Sequence, residues 1–426
     1  MSDKKDVIVI GAGMAGLLIA YYLQEAGKDV LVLEADKIAS GQTDRTTAKI
    51  TCQHGIKYST LLKKVGRNQA EIYARANEGA INEYEKLIKR LGIKCDFERV
   101  PAYLYSTTSR EQLLEEAEAA ASLGIDVFYT EQTELPFPVV GAVGYRNQAR
   151  FSPPQFLKAL AGKLEIREDT PVTRVSGRTV YTREGVYTAD KIVLATHYPF
   201  LNMPGFYFLR QHQERSYVLA LKGCRPIRGM YYGVDEGGLS LRQAGEYLLL
   251  GGAGHRTGKK RCGGAYERLR KAAGQHFPEG REVACWSAQD CMPHDGIPFI
   301  GRFSVFTPHL YVATGFQKWG MSTAMVAAMI LREEVQGRFH PWSRVFRPQR
   351  MLVKAGIGKF LVDVGESIKG LTIGWLGKRC KRCTHLGCRL KWNPNENSWD
   401  CPCHGSRFSQ EGRIYDNPAQ TDLNKG

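Results

Sequence analysis

The sequence predicts an α/β fold in three parts: a nucleotide-binding domain with a parallel sheet, a domain with an antiparallel sheet, and a small β-rich domain at the C-terminus. Two observations support this prediction. Residues 6 to 34 read as strand, glycine-rich turn, helix and strand, a complete βαβ unit. Five of the 11 cysteines lie at or after Cys380. A chain of 426 residues is long enough for two or three domains.

Composition indicates a globular protein of the cytoplasm. The hydrophobic fraction is 43%, and no apolar run reaches the ~18 residues of a membrane span. The first apolar segment, Val7 to Ile10, is too short for an export signal. The net charge of +16 favours a solvated basic surface, and without basic runs interleaved with aromatic residues we expect no nucleic-acid partner. Cysteines in such a chain favour metal binding or catalysis.

A glycine motif predicts a dinucleotide site. Gly11-x-Gly13-x-x-Gly16 lies between the first strand and the first helix, as in Rossmann-like domains. These glycines permit a tight turn, close approach of the backbone to a pyrophosphate, and close packing of helix on strand. The helix N-terminus then faces the phosphates, and Glu34 would accept hydrogen bonds from ribose hydroxyls. Because FAD and NAD share adenosine diphosphate, the motif alone does not separate them.

Five further segments resemble the D-amino acid oxidase and glycine oxidase superfamily. They are residues 40–48, 170–173, 194–196, 290–301 and 314–323. The resemblance covers about residues 6 to 335, and it is strongest in the N- and C-terminal motifs. It implies a Rossmann-like FAD-binding domain, an antiparallel-sheet substrate domain, and oxidation of a C–N or C–O bond by hydride transfer to the flavin.

The resemblance implies cofactor contacts in three places. The segment after the second strand would lie near the pyrophosphate and isoalloxazine, and Val172 would touch the adenine through its backbone. The helix that begins near Gly320 would present its amides to the pyrimidine edge, where negative charge collects on reduction. The predicted cofactor-binding residues are Gly11, Gly13, Met14, Ala15, Gly16, Glu34, Arg45, Thr46, Thr47, Val172, Gly315, Gly320, Met321 and Thr323.

The catalytic residues are not defined by the sequence. Hydride transfer from a neutral amine depends on orientation against the flavin, so the superfamily fixes no single catalytic side chain. For each pocket candidate, a packing or surface role is the commoner one. The candidates are His54, Tyr232, His294, Arg302, Lys318 and Trp319.

A second motif predicts an iron–sulfur site near the C-terminus. Cys383-x-His385 and Cys401-x-x-His404 supply two thiols and two imidazoles from two short loops. A [2Fe-2S] centre with two thiolates on one iron and two imidazoles on the other needs such a pair of loops. Structural zinc is the alternative, because it accepts the same ligands.

Both loops resemble those of the Rieske subunit of respiratory quinol:cytochrome c reductase. The resemblance implies a disulfide between Cys388 and Cys403, and Asn417-Pro-Ala419 is similar to the proline loop that covers the cluster. Two departures stand out. The domain is short for its family, and Phe408 occupies the position where a tyrosine is expected.

The predicted domain organisation is discontinuous. The FAD-binding domain comprises residues 1–56, 146–205 and 285–340, and the substrate domain comprises 57–145 and 206–284. Residues 341–371 form a linker helix, and 372–426 form the Rieske [2Fe-2S] domain. Apolar residues from Val353 to Leu371 share one helical face, which favours packing on the flavin domain over contact with a membrane surface.

Together these features favour an FAD-dependent dehydrogenase for an amine or amino acid. Electrons would pass to the cluster and on to an external acceptor, a protein or a quinone. Two alternatives stay open: an oxidase that uses oxygen and has a vestigial cluster, and a non-enzymatic redox sensor or electron-transfer protein.

Overall fold

A computed structural model describes residues 4–259, 263–350 and 380–423, which form three β-sheets. The strand order of the first sheet is β16-β17-β10-β1-β2-β7, with the hairpin β8–β9 attached to β10. Its strands are parallel except for β16 and the hairpin. Their bounds are β1 Lys5–Ile10, β2 Val30–Leu33, β7 Glu165–Arg167, β8 Val172–Ser176, β9 Thr179–Thr182, β10 Val186–Leu194, β16 Phe299–Arg302 and β17 Leu310–Thr314.

The centre of this sheet is covered on both faces, which explains its sequence: helices pack on one face, and Val180, Phe200 and Tyr207 pack on the other. Val7 to Ile10 and all of β2 are buried, a continuous apolar pattern expected of parallel strands covered on both faces. Helix α1, Met14–Glu25, follows the glycine turn and packs against α7, Gly320–Glu334. Both helix starts therefore lie at the carboxyl edge of the sheet, where ligands bind in such folds.

The second sheet is mainly antiparallel. Its order is β15-β11-β14-β13-β12-β4-β6-β3, with β5 paired to β6 and with β12 parallel to β4. Its strands are β3 Lys49–Ile50, β4 Glu98–Ser106, β5 Val127–Thr130, β6 Gly141–Arg150, β11 Gln211–Lys222, β12 Met230–Gly233, β13 Ser240–Ala244, β14 Tyr247–Arg256 and β15 Arg281–Pro293. The other helices are α2 Tyr58–Val65, α3 Arg67–Leu91, α4 Arg110–Ser122, α5 Pro153–Ala161, α6 Ala265–His276 and α8 Ser343–Phe346.

The third sheet is small, antiparallel and C-terminal. It comprises β18 Lys391–Asn393, β19 Ser398–Asp400, β20 Arg407–Phe408 and β21 Ile414–Asp416, in that order. The predicted fold class is thus confirmed: an α/β sheet, a large antiparallel sheet and a β-rich C-terminal domain.

The domain boundaries stay predictions. Strand β6 crosses residue 146 and β15 crosses residue 285, and both pair within the second sheet, as does β3. The apolar face predicted from Val353 to Leu371 lies outside the described residues. In the part of the chain that the structure describes, no helix is both long and apolar enough to span a membrane.

Candidate cofactor sites

The glycine turn after β1 has the shape that a pyrophosphate needs. Gly11 has a φ of +106°, and a Cβ there would lie 2.6 Å from the carbonyl oxygen of Ala195. A Cβ on Gly16 would lie 1.8 Å from the carbonyl oxygen of Gly11. Only glycine fits at these two positions, because both clashes are with backbone. The turn therefore brings the N-terminus of α1 to a position that suits a phosphate.

A cavity of about 1210 Å³ extends from this turn between the first two sheets. It exceeds the ~300–1,000 Å³ of ordinary ligand pockets, as a dinucleotide together with a substrate requires. Three predicted cofactor residues, Gly16, Gly315 and Thr323, do not line it. The predicted residues that line it are Gly11, Gly13, Met14, Ala15, Glu34, Arg45, Thr46, Thr47, Val172, Gly320 and Met321.

Glu34 is held at the cavity rim by backbone groups. Its Oε2 accepts a hydrogen bond from the amide of Ala12 at 2.6 Å, and its Oε1 accepts one from the amide of Asp36 at 3.0 Å. Each carboxylate oxygen keeps a second lone pair that can accept a hydroxyl. The geometry is compatible with the predicted ribose contact, which stays a prediction.

The pocket candidates divide into two groups. Tyr232, Lys318 and Trp319 line the cavity. His54 lies behind Trp319, with the two rings stacked at 4.8 Å, and its ring nitrogens contact Tyr73, Thr51 and Ser322. Burial holds the pKa of His54 well below its usual value, so this side chain is neutral.

The remaining two candidates lie elsewhere. His294 and Arg302 are not among the residues that line the cavity. The Nε2 atom of His294 lies 3.2 Å from the carbonyl oxygen of Leu209, and Arg302 is an exposed residue at the end of β16.

Sequence reasoning missed an acidic pair beside Lys318. Glu214 on β11 lies opposite Asp290 on β15, and the Lys318 ammonium is 3.6 Å from the Glu214 carboxylate. Asp290 lines the cavity, and burial raises its pKa to about 7 despite the opposing effect of Lys318. The alternation of side chains along β15 could have indicated Asp290, but its pairing with Glu214 depends on the register of distant strands.

Lys49 is a second residue that sequence reasoning missed. This buried lysine lines the cavity and donates hydrogen bonds to the carbonyl oxygen of Tyr231 and to Ser240 Oγ, both at 2.7 Å. Burial lowers its pKa to about 7, and the charge of Arg242 acts in the same direction. The available signal for Lys49 in the sequence was its place next to the apolar Ile50, with which it forms a two-residue strand in the structure.

The C-terminal domain presents two hairpin loops of matching construction. In one, the amide of Cys383 donates to the carbonyl oxygen of Cys388; in the other, Cys401 donates in the same way to Ser406. Each loop turns at a glycine of positive φ, Gly387 or Gly405. The repeated geometry explains why both loops carry a cysteine and a histidine at short spacing.

The four predicted ligand side chains lie together. The thiols of Cys383 and Cys401 are hydrogen-bonded to each other, which lowers the pKa of Cys383. The rings of His385 and His404 are 5.1 Å apart. Among the described residues, no hydrogen-bond partner lies within reach of the buried Nδ1 of His385, and neither of the buried ring nitrogens of His404 has a side-chain partner. Unpaired buried nitrogens are costly, so these atoms fit metal ligands.

The protonation states agree with this fit. Burial lowers the pKa of His385 to about 4 and that of His404 to about 3, so both imidazoles are neutral, the form that binds metals. Cys388 and Cys403 are joined in a disulfide. The sulfur of Cys401 lies within 4.8 Å of both disulfide sulfurs, but these are not thiolates and do not replace Cys383 as a ligand.

The cluster-binding loops are docked on the flavoprotein part of the chain. His385 Nε2 lies 2.6 Å from Asn202 Oδ1, and the ring of Phe208 packs edge-on against His385 and His404. Further along, Asn417 donates hydrogen bonds to the carbonyl oxygens of Thr196 and Tyr198, both at 2.8 Å.

Buried charges join the same two parts. Arg215 on β11 is fully buried, 3.7 Å from the carboxylates of Glu396 and Asp416. Both carboxylates also contact Arg407, which additionally pairs with Asp400 at 3.2 Å. The C-terminal domain is therefore part of one packed unit with the second sheet.

The fold and the two sites define a flavoprotein oxidoreductase with an iron–sulfur domain. A family model for FAD dependent oxidoreductases matches residues 6–334, and one for the Rieske [2Fe-2S] domain matches residues 380–425. The chain belongs to the FAD-dependent oxidoreductase family and has a C-terminal Rieske domain, which implies FAD and a [2Fe-2S] cluster as its cofactors.

Similar proteins match either the whole chain or one of its parts. YhfW of Bacillus subtilis (strain 168), described as a Rieske 2Fe-2S iron-sulfur protein, is 33% identical over 97% of this chain and 92% of its own length. The iron-sulfur subunit of the cytochrome b6-f complex of Nostoc punctiforme is 41% identical over 15% of this chain and 32% of its own length. Glycine oxidase from Geobacillus kaustophilus superposes with a TM-score of 0.70 at 18% identity, over 82% of this chain and all of that structure.

Proposed function

We propose that the protein is a dehydrogenase that oxidises an amine or amino acid and passes the electrons to its own Rieske cluster. The observation that supports this proposal is that the C-terminal domain forms part of the wall of the predicted flavin cavity. Asp416 and Asn417 of the C-terminal domain line the same cavity as the glycine turn. A cluster held there would be a nearer electron acceptor than any group in solution.

The chain's own residues would have distinct tasks. The glycine turn and the N-terminus of α1 would bind the pyrophosphate, while Cys383, His385, Cys401 and His404 would hold the cluster. Bound FAD would supply a two-electron hydride acceptor, and the cluster a one-electron carrier. Tyr232, Lys318 and Trp319 would orient the substrate. The final acceptor, a redox protein or a quinone, would take the electrons one at a time.

Anaerobic titration with a panel of amines and amino acids tests this proposal. The visible spectrum should lose flavin absorbance first, followed by cluster absorbance, and the reduced sample should give the low-average-g electron paramagnetic resonance signal of a Rieske centre. A flavin that is reduced beside a cluster that stays oxidised would contradict the dehydrogenase, and stoichiometric peroxide in air would then identify an oxidase. A flavin that no compound in the panel reduces would favour the non-enzymatic alternative.

A further inference from the structure

Strand β15 separates the flavin cavity from a cluster-binding loop. Ala288 and Asp290 line the cavity. Gln289, between them, points the other way, because successive side chains of a strand face opposite sides. Its Nε2 donates a hydrogen bond to the carbonyl oxygen of Gly405 at 2.8 Å. Gly405 follows His404 directly, so one layer of sheet stands between the cavity and a ligand loop.

Gln213 of the neighbouring strand β11 completes the contact. Its Nε2 donates to the carbonyl oxygen of His404 at 2.7 Å and to that of Asn417 at 3.2 Å. Its Oε1 accepts from Gln289 Nε2 at 2.6 Å. The two glutamines therefore form one hydrogen-bonded pair that donates to the consecutive carbonyl oxygens of His404 and Gly405 in the ligand loop.

The pair is built for rigidity. Gln213 is 2% exposed and Gln289 is fully buried. The Oε1 of Gln289 is itself fixed by hydrogen bonds from Arg215 and Thr257. A Cβ on Gly405 would lie 2.7 Å from the Cβ of Gln213, so the loop packs directly on this side chain. Buried amides with all these partners hold a single arrangement.

We infer that Gln213 and Gln289 are positioning residues that clamp the cluster loop to the wall of the flavin cavity and thereby set the rate of internal electron transfer. The inference rests on the proposed function. Each oxidised substrate molecule yields two electrons, which cross this wall singly and leave to an external one-electron acceptor, a redox protein or a quinone. The clamp itself neither gains nor loses electrons or protons.

The test compares Gln213→Met with the wild-type holoenzyme. Methionine keeps the length and bulk of the side chain but cannot donate to the carbonyls of His404 and Asn417. Gln243→Met is the matched control, because it makes the same substitution at a buried position of the second sheet and removes a hydrogen bond to the carbonyl oxygen of Gly245, which lies outside the loop. Flavin and cluster absorbance are followed separately after rapid anaerobic mixing with substrate, and rates are expressed per cluster counted by electron paramagnetic resonance.

We expect unchanged flavin reduction in both variants and cluster reduction at least tenfold slower in Gln213→Met alone. A tenfold loss corresponds to about 1.4 kcal/mol. Cluster reduction by dithionite, which does not cross the wall, should be equal in all three proteins. Equal internal transfer in Gln213→Met and wild type would overturn the clamp, as would a slowed dithionite reaction. If the wild-type cluster takes no electrons from reduced flavin, the proposed function fails instead.

Discussion

Gly258 offers a direct test of how the cluster loop is docked. This buried glycine follows β14, has a φ of +72°, and faces the ligand loop. A Cβ there would lie 2.5 Å from the backbone nitrogen of Pro402 and 2.8 Å from the carbonyl carbon of Cys401. Both neighbours are backbone atoms, so Gly258→Ala forces the loop that contains ligand Cys401 away from the sheet.

The magnitude is the sum of two effects. An alanine at positive φ costs ~1–2 kcal/mol, and forcing an extra carbon into a packed contact costs ~1–3 kcal/mol more. Gly245 is the matched control: its φ is +57°, and in the part of the chain that the structure describes no heavy atom beyond its two chain neighbours lies within 4 Å of the position of its Cβ. Gly245→Ala therefore carries the backbone cost alone.

The assay is the loss of cluster absorbance in the presence of an iron chelator, with flavin content measured on the same samples. The excess of ~1–3 kcal/mol predicts cluster loss about 5- to 150-fold faster in Gly258→Ala than in Gly245→Ala. Flavin occupancy should be equal in the two variants. If both lose the cluster at the same rate, contact with Gly258 does not hold the ligand loop, and the docking argument is wrong.

Three further predictions concern the cluster and the cavity. Ser406 Oγ is hydrogen-bonded to Cys383, so Ser406→Ala should lower the midpoint potential; a hydrogen bond worth ~1.5 kcal/mol corresponds to about 60 mV for one electron. Phe408→Tyr should raise the potential, and unchanged values in a redox titration would refute both effects. Burial raises the pKa of Asp290 from its usual 3.8 to about 7 in the folded protein, so between these values the folded state holds the extra proton and stability falls as pH rises. Asp290→Asn removes the titrating carboxyl group and therefore this loss of stability. Between pH 5 and pH 8, the free energy of unfolding of the flavin-free variant, measured with urea, should rise by on the order of 3 kcal/mol relative to that of the wild type. If the difference in the free energy of unfolding between the variant and the wild type does not change with pH, this result would contradict the buried position of Asp290.

Local patterns made much of the architecture predictable. The glycine turn depends on steric limits at Gly11 and Gly16 that spacing alone reveals. The βαβ unit predicted over residues 6 to 34 appears as β1, α1 and β2. The two loops that carry the predicted ligands could also be recognised in the sequence, because each is a short turn whose residues are consecutive.

Long-range pairing made the rest unpredictable. Gln213 and Gln289 are both ordinary strand residues, and they meet only because β11 pairs with β15 in one particular register. The same holds for Glu214 and Asp290. A shift of one residue would turn all these side chains to the opposite face. No local pattern fixes that register.

Buried charges support the C-terminal domain where it docks on the flavoprotein sheet. Arg407 is surrounded by carboxylates, two of which, Glu396 and Asp416, also face Arg215 of the flavoprotein sheet. Removing one partner from a buried ion pair costs ~3–5 kcal/mol. This cost of breaking a pair is not its net contribution to stability, but it is a large fraction of the ~5–15 kcal/mol that stabilises a whole domain, so the docked arrangement does not tolerate the loss of one partner. Because β11 supplies Arg215 and the Gln213 hydrogen bonds, part of the support for the cluster loops comes from the flavoprotein sheet. Folding of the flavoprotein and retention of the cluster are therefore coupled through the same buried side chains.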